Sequence, residues 1–223
     1  MLSIIVQTLN ASRTLPGTLA CLRGCHLPYE IIVADGGSTD FTRVAADRAG
    51  VNFIEGPRGR GQQLAAGAQK ATGDWLLFLH ADTVLDEGWS LGLPIFIEDP
   101  ANVHKAAFFR FAIDDDRRGA RWLERAVAKR NRKFGLPYGD QGLLISRIFY
   151  KKIGGFRALP LMEDVDIARR IGKHRLVGLP ITALTSNVKY EGWALAYRPF
   201  FNLFCLFLYF VGVPPGVLVR LYR

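Results

Sequence analysis

The sequence has few cysteines, and this scarcity excludes a fold held together by disulfide bonds. Three cysteines (Cys21, Cys25 and Cys205) cannot form a disulfide framework, which fits a chain in the reducing cytosol. Cys21 and Cys25, with the adjacent His26, could form half of a zinc site. Because no second pair of ligands follows at a suitable spacing, small buried thiols are the favoured interpretation.

The sequence also lacks a recognisable leader, a repeat and a long apolar segment. The apolar residues 2–6 follow Met1 directly, without the basic region or the small-residue cleavage site of a secretory signal. The most apolar segment, residues 200–213, is shorter than the roughly 20 residues needed to span a bilayer. A core helix, an interfacial helix and a dimer surface all remain open for it.

Acidic residues are outnumbered: 29 lysines and arginines face 20 aspartates and glutamates, giving a net charge of +9. Such a balance indicates an anionic partner, for example nucleic acid, a phosphorylated small molecule or an anionic membrane. The excess is concentrated in residues 117–133, which contain eight basic residues and one acid. A solvated helix, an anionic acceptor and an anionic lipid surface all fit this stretch. Nucleic acid is disfavoured because Trp122 is almost the only aromatic residue there for base stacking.

Short apolar segments alternate with helical patterns over the first 80 residues. Buried strands are predicted at residues 2–6, 30–34, 51–55 and 75–79, with helices at 14–24, 41–49 and 62–71. A further strand is predicted at 106–113, and helices at 117–133 and 162–172. The alternation predicts an α/β fold with a mainly parallel central sheet flanked by helices.

Polar side chains follow three of the predicted strands at their carboxyl ends, where α/β sheets place their ligand sites. These are Thr8 and Asn10, then Asp35, and then His80 and Asp82. A carboxylate such as Asp82 can hold a divalent cation that bridges a diphosphate. Asp35 could accept hydrogen bonds from a nucleobase or a ribose. Both aspartates also suit ordinary turns.

A glycine-rich segment, Gly-Arg-Gly-Gln at residues 59–62, precedes a predicted helix. Its backbone N–H groups and Arg60 could contact a phosphate. The segment lacks the Lys-Ser/Thr pair of a Walker A loop, and a plain loop is the other interpretation.

Carboxylates are also clustered in the second half of the chain. Glu163, Asp164 and Asp166 open a predicted helix, where they could stabilise its N-terminus or supply a general base. Asp140 and Gln141 lie in a glycine-flanked turn that could line the same cleft or be an ordinary turn.

In this order the segments resemble the family 2 glycosyltransferases. The matching segments are SIIVQTLN at 3–10, EIIVADGGSTD at 30–40, GDWLLFLHAD at 73–82 and EDVD at 163–166. The resemblance covers residues 1–90 and 139–172, and implies an inverting enzyme with a GT-A fold that uses a nucleotide-diphosphate sugar. It predicts one GT-A domain over residues 1–195, with a nucleotide-sugar half (1–90) and an acceptor half (91–195), before an apolar helical tail (196–223). The ADGGS, GRGQQ and HADT segments are also similar to a small bacterial branch associated with arsenosugar biosynthesis.

The resemblance implies a role for each matching residue on the donor side. Thr8, Asn10, Asp35 and Arg60 would hold the nucleotide sugar, with Asp35 toward the base. Asp82 corresponds to the last aspartate of the family's Asp-x-Asp motif, and would bind a divalent cation, Mn²⁺ or Mg²⁺, on the diphosphate. His80 stands where the first aspartate is usual, so it is expected to donate a hydrogen bond or to act through water. Some members add a late histidine ligand, which residues 187–193 lack.

On the acceptor side, Asp164 corresponds to the proposed catalytic base, with Glu163, Asp140 and Gln141 nearby. The Gln-x-x-Arg-Trp signature of processive synthases is absent after residue 172, so transfer of a single sugar is expected. The acceptor hydroxyl could be lipid-linked or anionic. The basic stretch and the apolar tail then predict a cytoplasmic protein with peripheral contact at the inner face of the membrane.

Two functions from other classes remain as alternatives. A nucleotidyltransferase can share this sheet, but it usually has a glycine-rich loop after the first strand, and residues 7–13 contain no glycine. A basic nucleic-acid-binding module is the other alternative.

Overall fold

The computed structural model describes residues 1–186 and 194–221, which form eight strands and nine α-helices. The strands are β1 (Leu2–Thr8), β2 (Tyr29–Asp35), β3 (Asn52–Glu55), β4 (Trp75–His80), β5 (Thr83–Leu85), β6 (Ala106–Ile113), β7 (Leu143–Ser146) and β8 (Leu176–Thr185). The helices are α1 (Leu15–Leu22), α2 (Thr42–Ala49), α3 (Arg60–Lys70), α4 (Leu93–Ile97), α5 (Arg118–Phe134), α6 (Arg147–Lys152), α7 (Glu163–Ile171), α8 (Ala194–Phe210) and α9 (Pro215–Leu221). The strands and helices predicted from the sequence are confirmed, with ends that shift by a few residues.

The strands form one mixed sheet in the order β3-β2-β1-β4-β7-β6-β8-β5. The first four strands along the chain, β1 to β4, pair in parallel, which confirms the predicted α/β class. Their register places Thr8 beside Asp35 and Gln7 beside His80. The polar strand ends therefore meet at one edge of the sheet.

The other four strands extend this sheet with mixed directions. β7 is antiparallel to both β4 and β6, whereas β8 runs parallel to β6. The β6–β8 register shifts between Phe108, opposite Gly178, and Arg110, opposite Thr182. Pro180 falls in this irregularity, where a residue without a backbone N–H group costs little.

Apolar residues cover both faces of the sheet because side chains alternate along each strand. Ile4 and Val6 of β1 pack with Leu15 and Leu19 of α1 on one face. Ile5 packs on the other face, in a cluster that also includes residues of α3 and α7. The two faces hold the helices against the sheet and fix the loops at its carboxyl edge.

The C-terminal helices share a third core cluster with α7. Cys205 and Leu206 of α8 and Leu218 of α9 are buried against Val165 and Ala168. Within residues 1–186 and 194–221, no helix is both long enough and apolar enough to cross a membrane.

The N-terminal cysteines are part of the packing around α1. The Cys21 thiol donates a hydrogen bond to the Thr18 carbonyl at 3.0 Å. Burial raises the pKa of Cys21 and of Cys25, so both are expected to remain protonated thiols at neutral pH. This environment favours the interpretation as structural thiols.

Candidate active site

A cleft of about 530 Å³ opens at the carboxyl edge of the parallel strands. Thr8, Asn10, Arg60, His80 and Asp82 all line it. These residues come from the ends of β1 and β4 and the start of α3, so the sheet brings distant parts of the sequence together. The fold thus gathers five predicted residues into one site.

Asp35 lies behind this cleft, with 2% of its surface exposed, and organises the loop after β2. Thr8 Oγ1 and Ser38 Oγ donate to its Oδ1 at 2.7 and 2.5 Å. The backbone N–H groups of Gly37 and Ser38 donate to Oδ2 at 2.9 and 2.7 Å. With four hydrogen bonds from the protein, the carboxylate holds the loop and the end of β1 in one arrangement.

The turn after β1 is tied to this same loop. Asn10 adopts a left-handed backbone conformation with φ 51°, and its side-chain oxygen accepts from the N–H of Thr39 at 2.9 Å. Asp40 accepts from the N–H groups of Ser12 and Thr42 and from the Thr42 hydroxyl. Desolvation of Asp40 opposes ionisation, but these hydrogen bonds outweigh it and lower its pKa to about 2. The ionised carboxylate of Asp40 therefore helps to hold the loop, in addition to the backbone contacts.

Gln63 is a positioning residue that the sequence analysis did not identify. Its amide Nε2 donates to the carbonyls of Thr8 at 2.5 Å and Ala34 at 3.0 Å, and so joins the ends of β1 and β2. Residues three apart share a helix face, which places Gln63 on the same side of α3 as Arg60. The sequence signal for Gln63 is its position as the second glutamine of the GRGQQ segment.

Asp164 lies where the second half of the sheet approaches His80. Its Oδ2 accepts a hydrogen bond from the N–H of Gly139 at 2.9 Å. A Cβ atom on Gly139 would lie 2.3 Å from His80 Nε2, so any larger residue would force the His80 ring or the turn to move. His80 and Asp164 also line one small cavity, which connects the proposed metal region with the proposed base.

Glu163 has a different environment from the neighbouring Asp164. It is 1% exposed, and among the described residues no other residue provides a hydrogen-bond partner for its carboxyl oxygens. Leu64, Phe78 and other apolar side chains surround it. Burial, together with the charge of Asp164, raises its pKa to about 8, and Arg60 only partly opposes this shift. Glu163 is therefore protonated at neutral pH.

The third carboxylate of this helix forms ion pairs. Asp166 accepts from Arg157 at 3.1 Å and from Arg170 at 2.5 Å. The cluster of acids in the sequence therefore separates into a buried neutral acid, a carboxylate beside the cleft and a structural ion pair.

The two polar residues of the turn at 139–141 also have different environments. Gln141 is buried; its Nε2 donates to the Phe109 carbonyl at 3.0 Å, and its Oε1 accepts from Asn131 and Arg130. It joins α5 to β6 and does not line the cleft that contains Asp82. Asp140 lies near Tyr138.

The electrostatics around Tyr138 connect this turn to the site. Burial raises the pKa of Tyr138 to about 12, Arg130 opposes the shift, and the carboxylates of Asp164 and Asp140 add to it. The phenol is therefore neutral at the small cavity that His80 and Asp164 also line.

The donor set fits a cation that is shared with a substrate. Among residues 1–186 and 194–221, no three His, Cys, Asp or Glu side chains gather to hold a metal by themselves. Mg²⁺ is usually bound by one or two carboxylates together with phosphate and water oxygens, and Asp82 beside His80 in an open cleft meets that requirement. The predicted absence of a late histidine concerns residues 187–193, which lie outside the described residues.

The buried acid gives a prediction about stability. The Glu163 carboxyl has a pKa near 4.5 when unfolded and about 8 when folded. Between these values the folded state binds more protons than the unfolded state, so this group lowers stability as pH rises and has a constant effect above pH 8. Glu163→Gln removes the ionisable group. The variant is expected to gain stability over the wild type by a few kcal/mol between pH 5 and pH 8.5.

Urea unfolding at several pH values measures this difference. Glu98→Gln, at an exposed position, is the matched control and should leave the pH dependence as in the wild type. Parallel stability curves for Glu163→Gln and the wild type would show that the folded protein does not hold Glu163 protonated.

The chain belongs to glycosyltransferase family 2, because the model described as "Glycosyl transferase family 2" matches residues 3–159. The curated relatives include a "PGL/p-HBAD biosynthesis glycosyltransferase" from Mycobacterium bovis (strain BCG / Pasteur 1173P2). It is 33% identical over 148 residues, covering 59% of this chain and 56% of the relative. The same description and identity apply to the Mycobacterium tuberculosis (strain ATCC 25618 / H37Rv) protein. The chain thus spans a little over half the length of these relatives.

Solved structures show the same architecture, the GT-A fold. A mannosyltransferase from Pyrobaculum calidifontis, in complex with GDP-Man and Mn²⁺, aligns with a TM-score of 0.68 and 20% identity, covering 91% of this chain and 61% of that one. Glucosyl-3-phosphoglycerate synthase from Mycobacterium tuberculosis, in complex with Mn²⁺, UDP and glucosyl-3-phosphoglycerate, aligns with a TM-score of 0.62 and 18% identity. That alignment covers 96% of this chain and 81% of that one. The fold class predicted from the sequence is confirmed.

Proposed function

We propose that this protein is a glycosyltransferase that moves one sugar from a nucleotide-diphosphate sugar to an acceptor hydroxyl. The observation that carries the proposal is the single cleft shared by Thr8, Asn10, Arg60, His80 and Asp82 in a family 2 fold. The proteins of similar fold were solved with GDP-Man, UDP or UDP-GlcNAc, which supports a donor of this class.

The nucleoside is proposed to lie against the ends of β1 and β2. Thr8 and Asn10 line the cleft, and Asp35 holds both the Thr8 hydroxyl and the loop at 37–38 in place. A contact from Asp35 to the base would replace one of these four bonds, and Ser38 Oγ is the most readily rotated donor. Arg60, whose guanidinium is always charged, is proposed to contact the diphosphate.

Asp82 is proposed to hold the divalent cation, with His80 beside it donating a hydrogen bond or acting through water. When bound, the cation would neutralise the charge that develops on the departing diphosphate. Besides Asp82, the ligands of the cation would be phosphate oxygens, water and other groups of the bound substrates.

Asp164 is proposed to act as the general base. It would take the proton from the acceptor hydroxyl as that oxygen forms a bond to the anomeric carbon from the face opposite the diphosphate. The bond between this carbon and the phosphate oxygen breaks, the nucleoside diphosphate leaves with the electron pair, and the anomeric configuration inverts. Because Glu163 is protonated at neutral pH, it does not compete with Asp164 for the proton of the acceptor hydroxyl.

For the acceptor side of the site, the proposal is less specific than for the donor side. Asp140, Glu163 and Gln141 were predicted there; Asp140 and Glu163 lie near the base, whereas Gln141 supports the turn from inside. The absence of the processive signature after residue 172 supports single transfer, to a hydroxyl that could be lipid-linked or anionic. The resemblance to the arsenosugar branch rests on motifs that handle the donor, and it stays a prediction that does not identify the acceptor.

A thermal-shift panel tests the proposed donor binding. UDP-, GDP- and dTDP-sugars are added to the protein with and without Mn²⁺ or Mg²⁺. Ligand at about 100 times its Kd stabilises a fold by about 2.7 kcal/mol, which raises Tm by about 5–10 °C in a chain of this size. One sugar nucleotide is expected to give this shift, and the cation should increase it. A salt-dependent shift with RNA or DNA, and none with any sugar nucleotide, would contradict the proposal.

A further inference from the structure

The outer face of α8 is apolar and open to solvent. Its exposed residues, together with Val211 directly after the helix, follow helical spacing and are 47–67% exposed. We call them the α8 stripe (Phe200, Leu203, Phe204, Phe207, Phe210 and Val211). The inner face of the same helix is already used, because Cys205 and Leu206 are buried against α7. An apolar face of this size beyond the core needs a partner or an apolar phase.

The helix that packs against α8 is strongly basic. α5 packs against α8 and carries exposed cationic residues, among them Arg125, Lys129 and Arg132, together with the exposed indole of Trp122. The guanidinium of Arg169 lies 4.9 Å from the ring centre of Phe210. The sequence contains no acidic residue after Glu191. Apolar and cationic groups therefore occur together, and the given sequence adds no acidic residue to them after Glu191.

An anionic bilayer surface matches both properties at once. Aromatic and aliphatic side chains enter the boundary between headgroups and acyl chains, while lysine and arginine contact the anionic headgroups. A second copy of this chain fits less well, because a symmetric contact through the stripe would bring two basic α5 helices toward each other. With 17 residues, α8 suits an interfacial position better than a span.

We propose that the α8 stripe, together with the basic face of α5, binds the surface of an anionic membrane. This inference goes beyond the proposed function and does not depend on it, since it concerns a different face of the protein. Binding would place a family 2 domain at the membrane without any membrane-spanning segment in the described residues.

Co-flotation of the full chain with vesicles tests this proposal. Phosphatidylcholine vesicles with phosphatidylglycerol should carry the protein at low salt, and vesicles of phosphatidylcholine alone should carry much less. Leu203→Ser/Phe207→Ser, two exposed positions four residues apart, should reduce binding about tenfold or more. Leu91→Ser/Ile95→Ser, an equally spaced exposed apolar pair near α4, is the matched control and should bind as the wild type does.

The charge contribution is tested separately. Arg125→Glu/Lys129→Glu should reduce binding to anionic vesicles about tenfold or more, whereas Lys151→Glu/Lys152→Glu on α6 should have a much smaller effect. No flotation of the wild type with anionic vesicles would overturn the proposal. So would sedimentation showing a wild-type dimer that Leu203→Ser/Phe207→Ser converts to a monomer, because the stripe would then be a subunit interface. Normal donor binding by these variants would show that their loss of membrane binding is independent of the proposed catalytic function.

Discussion

Asp164→Asn is expected to lower kcat by about a thousandfold while the protein stays folded. A positioned general base contributes roughly 10²–10⁴ in rate, and an amide cannot take up the acceptor proton. The amide oxygen of asparagine can still accept the hydrogen bond from the Gly139 N–H, so the turn beside His80 should keep its position. The loss should therefore appear in kcat and in kcat/KM alike, because the interaction is made only in the transition state.

Steady-state kinetics with the donor identified by the thermal-shift panel measure this effect. Asp116→Asn, the same substitution at an exposed position outside the cleft, is the matched control and should keep wild-type rates. The donor-induced thermal shift should be the same in Asp164→Asn as in the wild type. Full activity in Asp164→Asn would exclude Asp164 as the base and would direct attention to Asp140 or to substrate-assisted proton transfer.

Asp82→Ala is expected to remove the cation-dependent part of both binding and catalysis. A cation on the diphosphate contributes several kcal/mol of charge stabilisation in the transition state, and about 1.36 kcal/mol corresponds to a factor of ten. We therefore expect kcat/KM to fall at least about a hundredfold. The increase in thermal shift caused by Mn²⁺ or Mg²⁺ should disappear.

Glu87→Ala, which removes an exposed carboxylate close to the site in the sequence, is the control and should retain the response to the cation. The two variants also separate the two proposed roles, because Asp164→Asn should keep the cation response that Asp82→Ala loses. A normal cation response in Asp82→Ala would contradict the assignment of Asp82 as the ligand.

The edge of the sheet that carries the donor cleft could be predicted from local sequence. Parallel strands end at the same edge, so the polar residues at the ends of β1, β2 and β4 had to meet once the strands were recognised. The register confirms this for Thr8 and Asp35. What sequence could not decide was the direction of the Asp35 carboxylate, because a turn and a ligand contact require the same residue types.

The separate environments of the acidic residues at the start of α7 could not be predicted from the sequence. Neighbours on a helix point about 100° apart, so adjacent acids reach different environments. Glu163 enters an apolar pocket beside Arg60, while Asp164 reaches the Gly139 N–H. Those partners come from distant segments, and nothing in the local pattern indicates which acid meets which group.

Long-range contacts also decide the role of Gln141. Its partners are the Phe109 carbonyl on β6 and side chains of α5, which only the assembled sheet brings together. In the same way, β8 could not be predicted by pattern because Gly178 and Pro180 interrupt it. The strand forms because the bulge accommodates the proline beside β6.

³¹P NMR directly tests whether this cleft binds a nucleotide-diphosphate sugar and whether the bond between sugar and phosphate is broken there. The protein is mixed with Mg²⁺ and each sugar nucleotide in turn, with water as the acceptor. We expect broadened diphosphate resonances for one donor, followed by slow formation of the nucleoside diphosphate as the phosphorus-containing product. Formation of pyrophosphate or a nucleoside monophosphate, or spectra unchanged by the protein for every donor, would contradict it.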